Sequence, residues 1–414
     1  MDAHERSTFS SPTTTEIPEI QTIIDRADLS DLGFSGNKFT WSNRQSEVDC
    51  IYARLDMALG NGYLLNQYGS SRVHHIDTIG SDHIPIILET NPLSYQGSKP
   101  YKYFKCWSSD PSVREIISNA YSKEVRGSSP FQLTNKLRFI KHDLKLWNNQ
   151  HFGNINNKVK YINSYLNDLT NLPHSPENVE LIKQVEFDLD HWQKVQEDFY
   201  AQKSRQEYFR SFDRNTGYYH NYANRRKHFN HISALKLDNG QWVNERADLE
   251  TLLINHFSSI GTTSNPYRNV ELLNCIDPCI SDIDNLNLLR PVTKQEIVDT
   301  INQMTPWTAP GPDGFPPGFY KENIDLLIND LWKTVNSFFE SKHLFKEMNH
   351  TFLSLIQKTD NPSSPSEFRP ISLCNSSYKI ISKIIVNRMK PLLSKMISPY
   401  QAAYVPTGTY MIMS

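Results

Sequence analysis

Residues 307–315 read WTAPGPDGF, and the chain continues through an amphipathic stretch to TFLSLIQK (351–358), DNPSSPSEF (360–368) and RPISLCNSSYKIISKIIVNRMKP (369–391). The opening block sets Pro306, Pro310, Pro312, Pro316 and Pro317 with Gly311, Gly314 and Gly318 around Asp313. Prolines fix φ and glycines free it, so the block is expected to be neither helix nor regular strand. Ile324, Leu327, Ile328, Leu331, Val335, Phe338 and Phe339 follow at three-and-four spacing, which predicts a helix ending near Glu340 with one apolar stripe toward a core. Residues 351–358 alternate as a strand does, and 361–366 carry the Pro, Ser and Asn of a reversal. Lys358 and Arg369 then flank a strand-turn-strand arm. A compact ammonium and a forked guanidinium so placed suit a triphosphate; they equally suit a solvated hairpin with surface charges. The last helix is expected over 378–396, with a kink at Pro391.

APGPDGF, LIQK, FRPISL, YKIISKIIVNRMK and QAAYV occur in that order. Together they resemble the N-terminal fingers of the reverse transcriptase of non-LTR (LINE-type) retrotransposons, of the kind abundant in plant genomes, over 291–405. The resemblance implies that Lys358 and Arg369 touch the incoming nucleotide. Thr308 stands where that family usually has Lys, and Gln357 where it has Pro. The family's paired palm carboxylates lie beyond the fingers and are expected to be absent here, and at Thr409 the chain leaves the pattern, which has Arg. The fingers are therefore read as truncated.

Near the other end, GNKFTW (36–41), RLD (54–56) and SDHIPI (81–86) are set around predicted strands at 38–42, 51–59 and 84–88. An Asp-His pair at the mouth of a strand can be a local hydrogen-bonded cap; it can also orient water or metal and stabilise charge on phosphorus. The three stretches resemble the C-terminal part of the endonuclease/exonuclease/phosphatase-type domain that precedes reverse transcriptase in the same elements. By that resemblance Asp56, Asp82 and His83, with Thr40 and Ser81, fall on active-site positions. The family's Asn and metal-binding Glu, its mid-domain Tyr and its GDFN-type loop find no counterpart, so no complete metal site is expected. The intact family uses Mg2+; tight binding is not expected here.

Between these regions, 91–107 reads as a linker rich in Tyr, Lys and Ser. A helix follows, with Ser112 and Glu115 as a capping box, then a second carrying Leu133, Leu137, Ile140, Leu144 and Trp147. Tyr161, Tyr165 and Leu169 are expected to form a core seam against a long helix after Pro176. Residues 203–236 hold eight Lys or Arg against two acids, interleaved with Tyr208, Phe209, Phe212, Tyr218, Tyr219, Tyr222 and Phe229. Cations beside rings suit single-stranded nucleic acid, with Arg225, Arg226 and Lys227 as backbone contacts; a basic solvated helix face has the same composition. The order of motifs there resembles the connector between nuclease and polymerase, with Phe212 where the family has Gly. Thr293 and Glu296 predict a further capping box.

At 414 residues, 38% hydrophobic and 21% charged, the chain has the composition of globular material, and its net charge of −2 gives no overall pull toward nucleic acid. Five scattered cysteines indicate neither a disulfide framework nor a zinc site, as in a reducing compartment. No signal peptide or membrane span is evident, and nucleus and cytoplasm are not distinguished.

The expected architecture is mixed α+β. It comprises a disordered 1–18, a partial α/β nuclease sheet over 19–90, a mainly helical connector over 91–290 and truncated reverse-transcriptase fingers over 291–414. The function so implied is part of an RNA-directed DNA polymerase polyprotein, with target-DNA nicking in the intact family, inactive as it stands and binding RNA and DNA weakly and dNTP at most weakly. The alternatives are a non-catalytic nucleic-acid-binding protein and a poorly folding product without function.

Overall fold

A computed structural model describes residues 6–7, 22–24, 26–27, 29–45, 50–68, 71–76, 80–90, 100–173, 175–204, 230–237, 239–262, 270–274, 278–359 and 362–397. The fold is mixed α+β, with long helices and small sheets. Two compact units divide it: Met1–Ser98, Gln196–Thr263 and Ser354–Ile371 form the first, and Lys99–Val195, Ser264–Leu353 and Ser372–Ser414 the second. Among the described residues no helix is long and apolar enough to cross a membrane.

The second unit is built on the proline-glycine block. Gly314 has φ of +86°, and a Cβ there would lie 2.6 Å from the Tyr101 carbonyl oxygen. At Gly311 a Cβ would lie 2.4 Å from the Asn375 amide nitrogen. Only glycine lets two backbones approach so closely. The block is then pinned by Asn375, whose Oδ1 accepts from the Asp313 amide at 3.0 Å while its Nδ2 donates to the Glu347 and Met348 carbonyls at 3.0 and 3.3 Å. Ser376 Oγ donates to the Phe315 carbonyl at 2.7 Å. Part of the block is helical after all, since Pro317–Glu322 forms a short helix with Pro317 in its first turn, where a missing N–H costs nothing.

The stretch 101–107 is not a linker. Tyr103, Cys106 and Trp107 are buried, and Tyr103 meets Phe319 edge-on at 5.1 Å while Tyr101 meets Phe315 at 5.7 Å. Its lysines mask an alternation that places one ring after another on the core side, and rings of this size dominate the apolar area such a core removes from water. The next helix, Pro111–Tyr121, is capped by Asp110 and not by the expected Ser112–Glu115 box. Pro111 takes the first turn, so the residue before it is the cap. Ser112 instead accepts the Trp147 indole N–H at 3.0 Å. In Ser129–Trp147 all five expected core residues are buried, and a π-helical turn, Asn148–Phe152, leads to Gly153.

The Tyr161–Tyr165 seam is also corrected. On Ile155–Thr170 the buried side chains are Ile155, Val159 and Leu169, whereas Tyr161 and Tyr165 are 70% and 39% exposed and stack on each other at 6.5 Å. The helix carries two apolar stripes, and the narrower aliphatic one packs inside. Contact with the long helix Pro176–Ser204 is made by Lys158, whose ammonium lies 3.6 Å from the Trp192 ring centre. Downstream, Ile324–Ser341 matches its expected span and buries Leu327, Leu331 and Val335. Ser376–Met389 gives way at Pro391 to the 3-10 turn Lys390–Leu392, which is the expected kink. Thr293 caps Lys294–Asn302, but Glu296 does not return the bond; both its oxygens accept from Arg388 at 2.8 Å.

In the first unit, Ser35–Gly36 lies parallel to Arg72–His75, which pairs antiparallel with Ile86–Glu89. A second small sheet orders Arg6–Ser7, Tyr52–Ala53 and Trp41–Ser42, and Ser30–Asp31 pairs with Leu59–Gly60. The expected 38–42 strand is reduced to Trp41–Ser42, and Thr40 is its buried residue, with Phe39 and Trp41 half-buried. Another cluster gathers Leu235, Leu249 and Phe368, with Leu355 packed against it. Leu235 belongs to the hairpin Leu235–Lys236/Trp242–Val243, turned at Gly240 with φ of +88° as the Asn-Gly pair predicts. Thr351–Gln357 and Phe368–Cys374 pair as the expected arm.

In the second unit, burial pushes the Asp313 carboxyl up to about 6, against the pull of the Phe315 amide and of Lys141 and Lys379. Oδ1 accepts from Phe315 N at 3.0 Å, while Oδ2 is buried with no hydrogen-bond partner. A carboxyl raised on folding holds its proton where the unfolded chain has lost it. Stability is therefore expected to fall as pH rises from the ordinary carboxylate range of about 4 to about 6, by up to about 3 kcal/mol. Thermal melts of wild type and Asp313→Asn across that window check this: the substitution should flatten the dependence. Gly311→Ala should lower the melting temperature at every pH, because the clash is with backbone.

Candidate functional site

Three separated stretches of the first unit meet at one imidazole. Thr40 and Trp41 are zipped to the Asp82 stretch by Ile84 N donating to Thr40 O and Ser42 N to Asp82 O, both at 2.9 Å, and Trp41 pairs with His83 in an antiparallel bridge. The buried Thr40 hydroxyl accepts from the amides of Leu55 and Asp56 at 2.9 and 3.0 Å, turning the RLD segment so that Asp56 faces the same place. His83 Nδ1 donates to Asp56 Oδ2 at 2.8 Å. Ser81 Oγ accepts from the His83 amide at 3.2 Å. Thus Thr40, Asp56, Ser81, Asp82 and His83 are brought together, and the partner of His83 is Asp56 and not its neighbour Asp82.

Asp82 is held otherwise. The Trp41 indole donates to its Oδ2 at 3.2 Å, and this bond, with the Asp82 amide, holds the carboxyl below the usual range. Trp41 was not singled out in the sequence as a site residue, although it follows Thr40 directly. Arg44 Nη1 donates to the Gly80 carbonyl at 3.3 Å and so tethers the loop ahead of Ser81. Beneath the site, Arg54 donates through Nη2 to Asp31 at 2.9 Å and lies 4.6 Å from the centre of the Phe34 ring, which stacks on His75 at 4.1 Å. This layer fixes the backbone that carries Asp56.

The tautomer set by Asp56 decides what His83 can do. As a neutral ring it offers the Nε2 lone pair as a base; protonated, it offers an Nε2–H to a phosphoryl oxygen. Among the described residues no three His, Cys, Asp or Glu side chains are grouped as a metal site requires.

In the arm, Lys358 N donates to the Glu367 carbonyl at 2.8 Å. That register sets Ile356 opposite Arg369, so Lys358 and Arg369 are diagonal neighbours on one face, about 7–8 Å apart at Cα. Both are exposed. Lys358 Nζ donates to Ser366 O at 2.6 Å, and Glu367 accepts the amides of Ser363 and Ser364 at 2.6 and 3.1 Å, which stiffens the turn. Arg225, Arg226 and Lys227 lie outside the described residues.

Over 132 residues, 32% of this chain and 10% of its counterpart, the sequence is 30% identical to the Transposon TX1 uncharacterized 149 kDa protein of Xenopus laevis. The matched part is about a tenth of that relative's length. No family model matches the chain. The likeness supports a transposon-related protein.

Trp41→Phe should raise the Asp82 carboxyl toward its ordinary value, read by NMR titration of the side-chain carbonyl carbon, with the fold unchanged. Thr40→Val leaves two amides without their acceptor and should cost about 1–3 kcal/mol in denaturant unfolding.

Proposed function

We propose that this chain is part of a retrotransposon-encoded RNA-directed DNA polymerase polyprotein, carrying the C-terminal portion of a phosphodiester-cleaving domain and reverse-transcriptase fingers. The reading is carried by the Asp56 bond to the His83 imidazole, with Thr40 holding the Asp56 amide and Ser81 the His83 amide. The likeness to a transposon-encoded protein supports it. In this reading His83, oriented by Asp56, donates to a phosphoryl oxygen as charge develops there, and Asp82 supplies a carboxylate at the mouth of the site. Lys358 and Arg369 form an electrostatic grip for a nucleotide triphosphate on the exposed face of the arm. A second reading, a nucleic-acid-binding protein without catalysis, is favoured by the eight cations and seven rings of 203–236.

The reading separates binding from turnover. Two charge-assisted contacts contribute about 1.5–3 kcal/mol each, and association costs at least about 4 kcal/mol, so triphosphate binding should be weak. Polymerisation further needs paired metals that align the attacking hydroxyl, a positioning effect of about 7–11 kcal/mol that a fingers arm does not supply.

Titration calorimetry should therefore show weak binding, tighter for tri- than monophosphate and lost in Lys358→Ala/Arg369→Ala. Equal affinity for both nucleotides, or no effect of the substitutions, would overturn the assignment of the arm. Primer extension on RNA should stay at background. Plasmid relaxation with magnesium should also show no nicking by the chain alone; nicking abolished by His83→Ala would instead mean that the site is complete.

A further inference from the structure

In the second unit, residues 375–397 contain Lys379, Lys383, Arg388, Lys390 and Lys395 and no acidic residue. Two of these cations are taken. Arg388 forks onto both oxygens of Glu296, and Lys395 pairs with Asp284 at 2.9 Å. The other three form a ladder: at 100° per residue Lys379, Lys383 and Lys390 fall within about 40° of one another, the first two about 6 Å apart along the axis. Buried Ile380, Ile381 and Ile384 face the other way.

A second ladder meets this one. On Ser129–Trp147, Lys141 and Lys145 are spaced by one turn, and Lys141 Nζ donates to the Pro312 carbonyl at 3.3 Å. Lys379 Nζ donates to the Ala309 carbonyl at 3.4 Å, in the same loop. Of the carboxyls near this junction, Asp313 is buried and Glu347 faces Arg138 at 3.9 Å. Among the described residues no acid pairs with Lys145, Lys383 or Lys390.

Solvated protein surfaces mix the two signs, and like charges one turn apart destabilise a helix. Here both lysines at the junction are also partly desolvated, which lowers their proton affinity. A polyanion laid along the ladders would relieve the repulsion and replace the lost solvent.

We propose that Lys145, Lys141, Lys379, Lys383 and Lys390 form one track for the sugar-phosphate backbone of a nucleic acid, crossing the proline-glycine loop. The cations run in line, as the phosphates of a linear polyanion do, and five of them outnumber the two exposed apolar side chains beside them, Val386 and Met389. The track is independent of the imidazole site and of Lys358 and Arg369. It goes beyond the proposed function in placing a backbone contact on the helix Ser129–Trp147.

The test uses three positions that hold no loop carbonyl, of which Lys145 and Lys390 are exposed and Lys383 is half-buried. Binding of a labelled single-stranded oligonucleotide to the full chain is followed by anisotropy over a salt series, for wild type and Lys145→Gln/Lys383→Gln/Lys390→Gln. Melting curves should coincide, affinity should fall, and the slope of log K against log salt should become shallower by about 2, from about 0.7 per phosphate contact. Unchanged affinity and slope would overturn the proposal. So would wild-type binding to phosphatidylserine vesicles without binding to the oligonucleotide. Lys358→Ala/Arg369→Ala should keep the wild-type slope, so loss of triphosphate binding there leaves the track standing. If that variant loses the slope while the triple variant keeps it, the backbone contact belongs to the arm and the track is refuted.

Discussion

Between Gly311 and the backbone of Asn375 there is no space for a methyl group. That contact lets one asparagine side chain bond the Asp313 amide and the carbonyls of Glu347 and Met348 together. Asn375 immediately precedes Ser376–Met389, so the helix that carries Lys379 and Lys383 starts where the loop is clamped. Phe315 and Phe319, on the loop's other side, meet the Tyr101–Trp107 rings. A side chain at position 311 would therefore disturb loop, helix start and aromatic core at once.

Two carboxyls show how the same side chain is set to opposite ends by its surroundings. Asp82 sits in solvent and is held ionised by an indole and an amide, so it presents charge at the mouth of the imidazole site. Asp313 is enclosed and pushed up to about 6, so it takes up a proton in mildly acidic solution where an ordinary carboxyl stays ionised. The first presents its charge to solvent. The second adjusts the net charge of the loop where the two lysine ladders meet.

What could be read beforehand follows the range of the forces. Long helices announce themselves because three or four turns repeat the same stripe, and Ser129–Trp147 and Ile324–Ser341 lie where their apolar spacing sets them. Glycine and proline marked the central loop for the same local reason. Two-residue strands carry too little alternation to show from sequence that Thr40 is buried. The Asp56–His83 bond joins positions 27 apart, and neither residue's neighbours encode it. Tyr161 and Tyr165 misled because their helix offers two apolar stripes and only packing chooses between them. The 101–107 segment misled because lysines between rings resemble a linker until the partner rings, some 210 residues on, are known. The three stretches 36–41, 54–56 and 81–86 were legible as neighbours, whereas the indole bond from Trp41 to Asp82 was not.

The first compact unit is drawn from Met1–Ser98, Gln196–Thr263 and Ser354–Ile371. Its Leu235 and Phe368 cluster cannot close until the arm has been synthesised. During translation Leu235 and Leu249 must wait for Phe368, because the entropy of closing a loop this long is spent before the contacts return it. Ribosome stalling or a stop placed ahead of position 354 would thus leave a nascent chain whose Leu235 and Leu249 lack Phe368 and Leu355 against them.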